Sequence, residues 1–149
     1  MTPDAIERVR ASFAQLTPQL GALSETFYAR LFEVAPDVRR LFAPDMTRQR
    51  GHFEAALALL LRNISMLHVL GPSLMALGAE HVSYGTRTEH YDVARDCLIY
   101  AIRHHAGAGW SDQLQRDWHD AVTAVMEPML KGAALATAGA ANRIGESAD

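Results

Sequence analysis

The chain carries one cysteine, Cys97, in 149 residues, so no disulfide can close within it and a reducing, cytoplasmic setting is the expectation. Long hydrophobic runs are missing too. The longest unbroken apolar stretch, Ala55 to Leu61, falls far short of the roughly 20 residues that a membrane-spanning helix needs. There is no basic stripe: 14 Lys and Arg stand against 17 Asp and Glu, for a formal charge of −3. The cations are spread through the chain, which disfavours nucleic acid as a partner. The opening residues do not read as a secretory leader with charged, apolar and small-residue parts in order. Nowhere do apolar and polar residues alternate over a sustained stretch framed by strand-type turns, which argues against a β-rich fold.

Spacing removes two kinds of chemistry. Seven histidines invite a metal hypothesis, but they do not fall in the two-plus-two pattern of a structural zinc site, and one cysteine cannot complete it. Ser, His and Asp all occur, yet no strand-turn-helix elbow frames a serine as a nucleophile. His90, His104, His105 and His119 read as solvated helix-face or helix-end residues, and His68 falls in a polar gap between helices. Cys97 reads as a small buried apolar residue rather than a redox group.

What is present is the balance of one soluble globular domain, 49% hydrophobic and 21% charged, long enough to enclose a flat cofactor. The periodicity is helical throughout, giving six substantial helices and a short one. Thr2-Pro3-Asp4 supplies a capping hydroxyl, a proline with no amide to satisfy and an acid at the positive helix end. Ile6, Val9, Phe13 and Leu16 then share one face. Thr17-Pro18 repeats the start signal ahead of Leu20, Leu23, Phe27 and Leu31. Ala35-Pro36-Asp37 opens a short turn ending at Leu41-Phe42, and Pro44-Asp45 opens a loop. A long helix is predicted from about Met46 to Met66, with Phe53, Leu57, Leu60, Leu61 and Ile64 inward. Gly71-Pro72-Ser73 starts a shorter helix that carries Leu74, Leu77 and His81 and stops at Gly85. Thr88 is expected to cap the next, which closes at Gly107-Ala108-Gly109. Ser111-Asp112 starts the last, and Pro128 should kink or shorten it. Residues 1–131 form the expected domain. Residues 132–149, rich in Gly, Ala, Ser and Thr with an exposed acidic end at Glu146 and Asp149, are expected as a largely disordered tail, although the alanines could extend the last helix in part.

A single histidine on a helix is more often surface decoration or a hydrogen-bonded core group than a ligand. What distinguishes His81 is its company: Phe27-Tyr28, Phe42, Gln49 and Tyr91. Taken in order, Thr26-Phe27-Tyr28-Ala29-Arg30-Leu31-Phe32, Pro36-Asp37-Val38-Arg39-Arg40-Leu41-Phe42, His81-Val82-Ser83-Tyr84-Gly85 and Glu89-His90-Tyr91 resemble a globin. The similarity is greatest to bacterial single-domain globins and to the globin half of flavohaemoglobins, and it runs from about Asp4 to Lys131.

The resemblance implies an all-α globin fold, six to seven helices around a pocket for haem b (iron protoporphyrin IX). His81 would be the proximal iron ligand and Phe42 the ring stacked on haem at a helix corner. Tyr28 would be the distal tyrosine, Gln49 the distal glutamine and Phe53 the apolar distal wall. Leu57, Leu98 and Ile102 are candidates for further walls, Tyr91 for the proximal side and Tyr84 for a further cofactor contact. A slip of one turn in the loop before Gln49 would put His52 over the iron instead; otherwise His52, Arg50 or Arg87 could reach a propionate. In flavohaemoglobins a tyrosine and a glutamate orient the proximal histidine. Tyr91 matches the tyrosine, but the glutamate's place falls near Ala133, Glu127 comes nearly two turns too early, and Glu80 stands where relatives commonly have a basic residue. The 149 residues include no counterpart of the flavin and nicotinamide domain.

Three functions follow from the resemblance as expectations. One is reversible binding of oxygen, with CO and NO as further diatomic ligands, for storage, scavenging or protection. Another is nitric oxide dioxygenation with a separate reductase. The third is gas sensing through a partner. A monomer or homodimer is compatible with each.

Overall fold

The computed structural model describes the backbone of residues 1–147 and the side chains of residues 1–140. Its α-helices are α1 (Pro3–Leu16), α2 (Leu20–Val34), α3 (Thr47–Arg62), α4 (Gly71–Ser83), α5 (Glu89–Ala106) and α6 (Asp112–Ser147), joined in part by short 3₁₀ turns at Thr17–Gln19, Pro36–Leu41, Ile64–Met66 and Gly107–Gly109. No strand occurs among the described residues. No helix among them is long and apolar enough to cross a membrane.

The local signals account for most helix boundaries. Thr2 Oγ1 accepts from the Ala5 amide at 3.1 Å, and Ser111 Oγ accepts from the Leu114 amide at 3.1 Å; each satisfies a donor that a bare helix start would leave free. Asp45 Oδ1 does the same for the Thr47 amide at 2.9 Å. Thr88 makes no capping hydrogen bond through its side chain. Instead His90 Nδ1 accepts from the Arg87 amide at 2.9 Å. The long helix expected to reach Met66 ends at Arg62, and the chain tightens into the 3₁₀ turn Ile64–Met66.

One large core joins α1, α2, α3, α5 and α6, and the fully buried Trp118 sits within it. Trp118 Nε1 donates to Ser12 Oγ at 3.1 Å, tying α6 to α1. Truncating such a side chain to alanine costs about 3–5 kcal/mol. Beside it, Arg8 grips the buried Asp117 with two bonds, Nε to Oδ2 at 2.6 Å and Nη2 to Oδ1 at 3.1 Å, while Gln113 Nε2 adds a third at 3.0 Å. These donors, Arg8 first, hold the Asp117 carboxyl below the usual carboxylate range. The stabilisation is therefore present above about pH 4 and is lost as the pH falls through the lowered value.

The most extensive helix pairing is α4 against α6, with Leu74, Tyr91 and Met129 forming a second, smaller core. α6 runs on through Pro128 and past Lys131 to Ser147, an extension of the last helix of the kind that the alanines allow. Alanine is the best helix former, and Gly132 is buried against α4, so the segment gains a packing partner that composition alone does not reveal. The expected acidic end at Glu146 and Asp149 lies outside the described side chains.

Candidate functional site

The first candidate cluster lies where α2, α3 and the turn between them converge. Tyr28, buried on α2, stands among Phe27, Phe32, Phe42 and Phe53, with ring centroids 4.9, 6.0, 5.6 and 5.5 Å away. Phe27 and Phe53 stack at 4.5 Å. Within this apolar box the phenol has one polar partner: Gln49 Nε2, on the first turn of α3, donates to Tyr28 Oη at 2.9 Å. Burial pushes the Tyr28 phenol up from its ordinary value, and the Gln49 bond offsets this only in part. Tyr28 is thus a neutral O–H with its oxygen already accepting and its own hydrogen available to a third group.

Two features invisible in the sequence hold this cluster. One turn before Tyr28, the fully buried Ser24 lies with its hydroxyl 2.6 Å from Glu54 Oε1 and 2.9 Å from the Gly21 carbonyl, linking α2 to α3. At the corner, Arg39 donates to the carbonyls of Phe42 (3.4 Å), Ala43 (3.0 Å) and Pro44 (2.9 Å) and lays its guanidinium over the Phe32 ring at 5.1 Å. The loop bearing Phe42 is therefore tied to the preceding turn. Only pairing in space reveals these roles; the residue types alone give no signal.

His52 is exposed on α3, and its side chain makes no hydrogen bond among the described residues. Gln49, not His52, is the side chain brought against Tyr28. Leu57, Leu98 and Ile102 are buried in the core against which the half-buried Phe42 and Phe53 pack.

The second cluster is the end of α4. His81 is half-buried, and its Nδ1 lies 2.7 Å from the Leu77 carbonyl one turn back. A carbonyl can only accept, so Nδ1 carries a proton, and in the neutral ring Nε2 is then the nitrogen with the lone pair. The helix then stops by a Schellman arrangement: Thr86 N–H reaches the His81 carbonyl at 3.0 Å and Gly85 N–H the Val82 carbonyl at 3.1 Å. Gly85 has φ +94°, a conformation that side chains rarely adopt. A Cβ built there would also stand 3.0 Å from Leu41 Cδ2, so the end of α4 abuts the corner that carries Phe42. Tyr84 is exposed and lies edge-on to the His81 ring at 5.9 Å.

Tyr91 is buried on α5, in the smaller core with Leu74 and Met129, and its hydroxyl has no partner among the described residues. Burial raises its phenol. Ala133 is half-buried, and Glu127 and Glu80 are exposed. Among the described residues, His81 is oriented by a backbone carbonyl and by no carboxylate. Arg87 pairs with Glu89 at 3.0 Å on the surface.

Among the described residues the chain is an all-helical protein that sets one imidazole at a helix end and a hydrogen-bonded tyrosine-glutamine pair in an aromatic box. The Globin family model matches residues 25–129, and the chain belongs to the globin family. It is 26% identical over 125 residues to the anaerobic nitrite reductase HBII of Casuarina glauca, covering 74% of this chain and 78% of that protein. It is 28% identical over 148 residues to a flavohemoprotein of Bordetella parapertussis, covering 97% of this chain but 37% of that longer protein. Among solved structures, an engineered carbene transferase described as a putative nitric oxide dioxygenase from Rhodothermus marinus superposes with a TM-score of 0.84 at 26% identity, covering 95% of this chain and 99% of that one.

Proposed function

We propose that the protein binds haem b through His81 and reversibly holds oxygen beside Tyr28 and Gln49. The observation that carries this reading is the Tyr28–Gln49 hydrogen bond at 2.9 Å: it uses the phenol's lone pair and leaves its O–H free inside an apolar box.

The residues fit the cofactor. A haem site asks for a neutral imidazole on a rigid helix, apolar walls, and few polar groups opposite. The Leu77 bond occupies Nδ1 of His81, so Nε2 is the nitrogen that would hold the iron. Phe42, Phe53, Leu57, Leu98 and Ile102 would line the macrocycle, with Tyr84 and Tyr91 toward the proximal side. When bound, haem supplies an iron centre with an open position for a diatomic molecule, oxygen, CO or NO. Tyr28 would then donate to that molecule, and Gln49 would keep the phenol turned inward. The surrounding rings exclude water, which strengthens a hydrogen bond made there. Storage, scavenging or protection would each use this chemistry.

Nitric oxide dioxygenation is a second reading, favoured by the likeness to the putative nitric oxide dioxygenase. It requires a source of electrons, so a separate reductase would be the partner. The proximal side weighs toward the first reading, because among the described residues His81 has no carboxylate partner of the kind that would make it a stronger electron donor.

Absorption spectra of the purified protein, ferric, ferrous and under oxygen, test the reading. A stable spectrum with oxygen is expected. Loss of the oxygen spectrum within seconds, or no haem after reconstitution, would overturn it. Sustained consumption of nitric oxide with a reductase present would favour the second reading.

A further inference from the structure

We infer that the crossing of α4 over α6 through Gly78 and Gly132 holds His81 in its working position whether or not a cofactor is bound, making the two glycines positioning residues for the imidazole. The inference rests on the reading of His81 as the iron ligand, but its central claim concerns the apoprotein.

The crossing is reciprocal. A Cβ built on Gly78 would fall on the Met129 carbonyl, 2.7 Å from that residue's Cα; one built on Gly132 would fall on the Met75 carbonyl, 2.6 Å from its Cα. Met75 pairs with Gly132 and Gly78 with Met129, so the helices run antiparallel with backbone against backbone. Ordinary helix pairs are held about 8–10 Å apart by their side chains. Here nothing separates them at two successive points. Glycine is a poor helix former, so its presence in both helix interiors needs a packing reason, and the contact supplies one.

The contact lies one turn from the site. Leu77, the residue before Gly78, provides the carbonyl that orients the His81 ring. Beneath the crossing, Leu74, Tyr91 and Met129 pack as a separate core, so α4 is gripped from α6 and α5. A helix of 13 residues is short enough that, alone in water, it would be marginal. Its order must come from packing, and its most extensive packing is on α6. The crossing also gives the small-residue segment a role, because only the continuation of α6 past Lys131 places Gly132 opposite Met75.

Interiors do not compress to admit a methyl group on a backbone atom. Gly132→Ala must therefore push α4 away. The first experiment is amide hydrogen exchange on the wild-type apoprotein, where residues 75–82 should exchange as slowly as residues 122–130 of α6; rapid exchange confined to α4 would overturn the inference with no variant needed. In apoprotein Gly132→Ala, exchange of residues 75–82 should quicken at least tenfold while α2 and α3 stay protected, and the His81 ring resonances should shift. In haem-loaded, unliganded ferrous protein, the iron–histidine stretching band should move from its wild-type position. Ala134→Gly, on an exposed part of α6, weakens the helix without entering the contact and should leave the ring resonances and the band in place. Unmoved signals in Gly132→Ala, or equal movement in both variants, would count against the inference. If the wild type takes up no haem, the haem reading fails by itself, and the exchange and ring-resonance data still decide the crossing.

Discussion

Tyr28 is enclosed by four aromatic rings and takes its hydrogen bond from another helix. His81 is half-buried at a helix end and takes its bond from its own helix, one turn back. The distal pair therefore depends on how α2 docks on α3, with Ser24 and Glu54 and the Arg39-bound corner fixing the register. The imidazole depends on local helix geometry and on where α4 lies. Damage to the first should change how a diatomic ligand is held while the cofactor stays; damage to the second should lose the cofactor itself.

The largest expected effect tests the proximal half. His81→Ala removes the only imidazole presented by α4, and the purified variant should hold no stable haem. A normal haem spectrum from it would break the assignment and shift attention to another histidine.

The ease with which each half can be read from the sequence also differs. Thr2, Ser111 and Gly85 mark helix ends by chemistry that acts within a few residues, so their roles are legible in order along the chain. His81, Tyr28 and Gln49 carry no such local mark; they stand out only through the order of the aromatic and histidine motifs. Ser24, Glu54 and Arg39 stay silent because each role belongs to a pair made by docking. The segment after Lys131 is half-legible for the same reason: its alanines allow a longer last helix, but its glycines give no sign of the packing that Gly132 finds against Met75. Thr88 shows the reverse, a good capping residue whose place is taken by a contact between Arg87 and His90.

Next in size is Tyr28→Phe. The ring and its four neighbours remain while the donor goes, so haem loading should be unchanged and oxygen release should quicken roughly tenfold, the equivalent of a hydrogen bond of about 1.4 kcal/mol. Stopped-flow release of oxygen checks it. An unchanged rate would mean that the phenol does not reach the ligand. Gln49→Leu should act in the same direction but more weakly, a few-fold, since it removes the group that turns the phenol and not the donor itself. An effect larger than that of Tyr28→Phe would reverse the roles of the pair.

The smallest effect is an expected absence of change, and it discriminates most finely between Tyr28 and His52 as the distal donor. Burial raises the Tyr28 phenol above its ordinary value of about 10. The folded group therefore stays protonated below pH 10, and its neutrality favours the fold until the pH climbs toward the raised value. A phenol donor gives an oxygen release rate that is flat from about pH 5.5 to 9, whereas a donor whose charge changes within that range would make the rate depend on pH. His52 is exposed and unpartnered among the described residues, so His52→Ala should leave the rate, its pH profile and the unliganded ferrous spectrum as they are. A step in the wild-type profile near neutrality that disappears in His52→Ala would show that α3 shifts by a turn when the cofactor binds. The Tyr28–Gln49 bond would then describe only the unloaded protein.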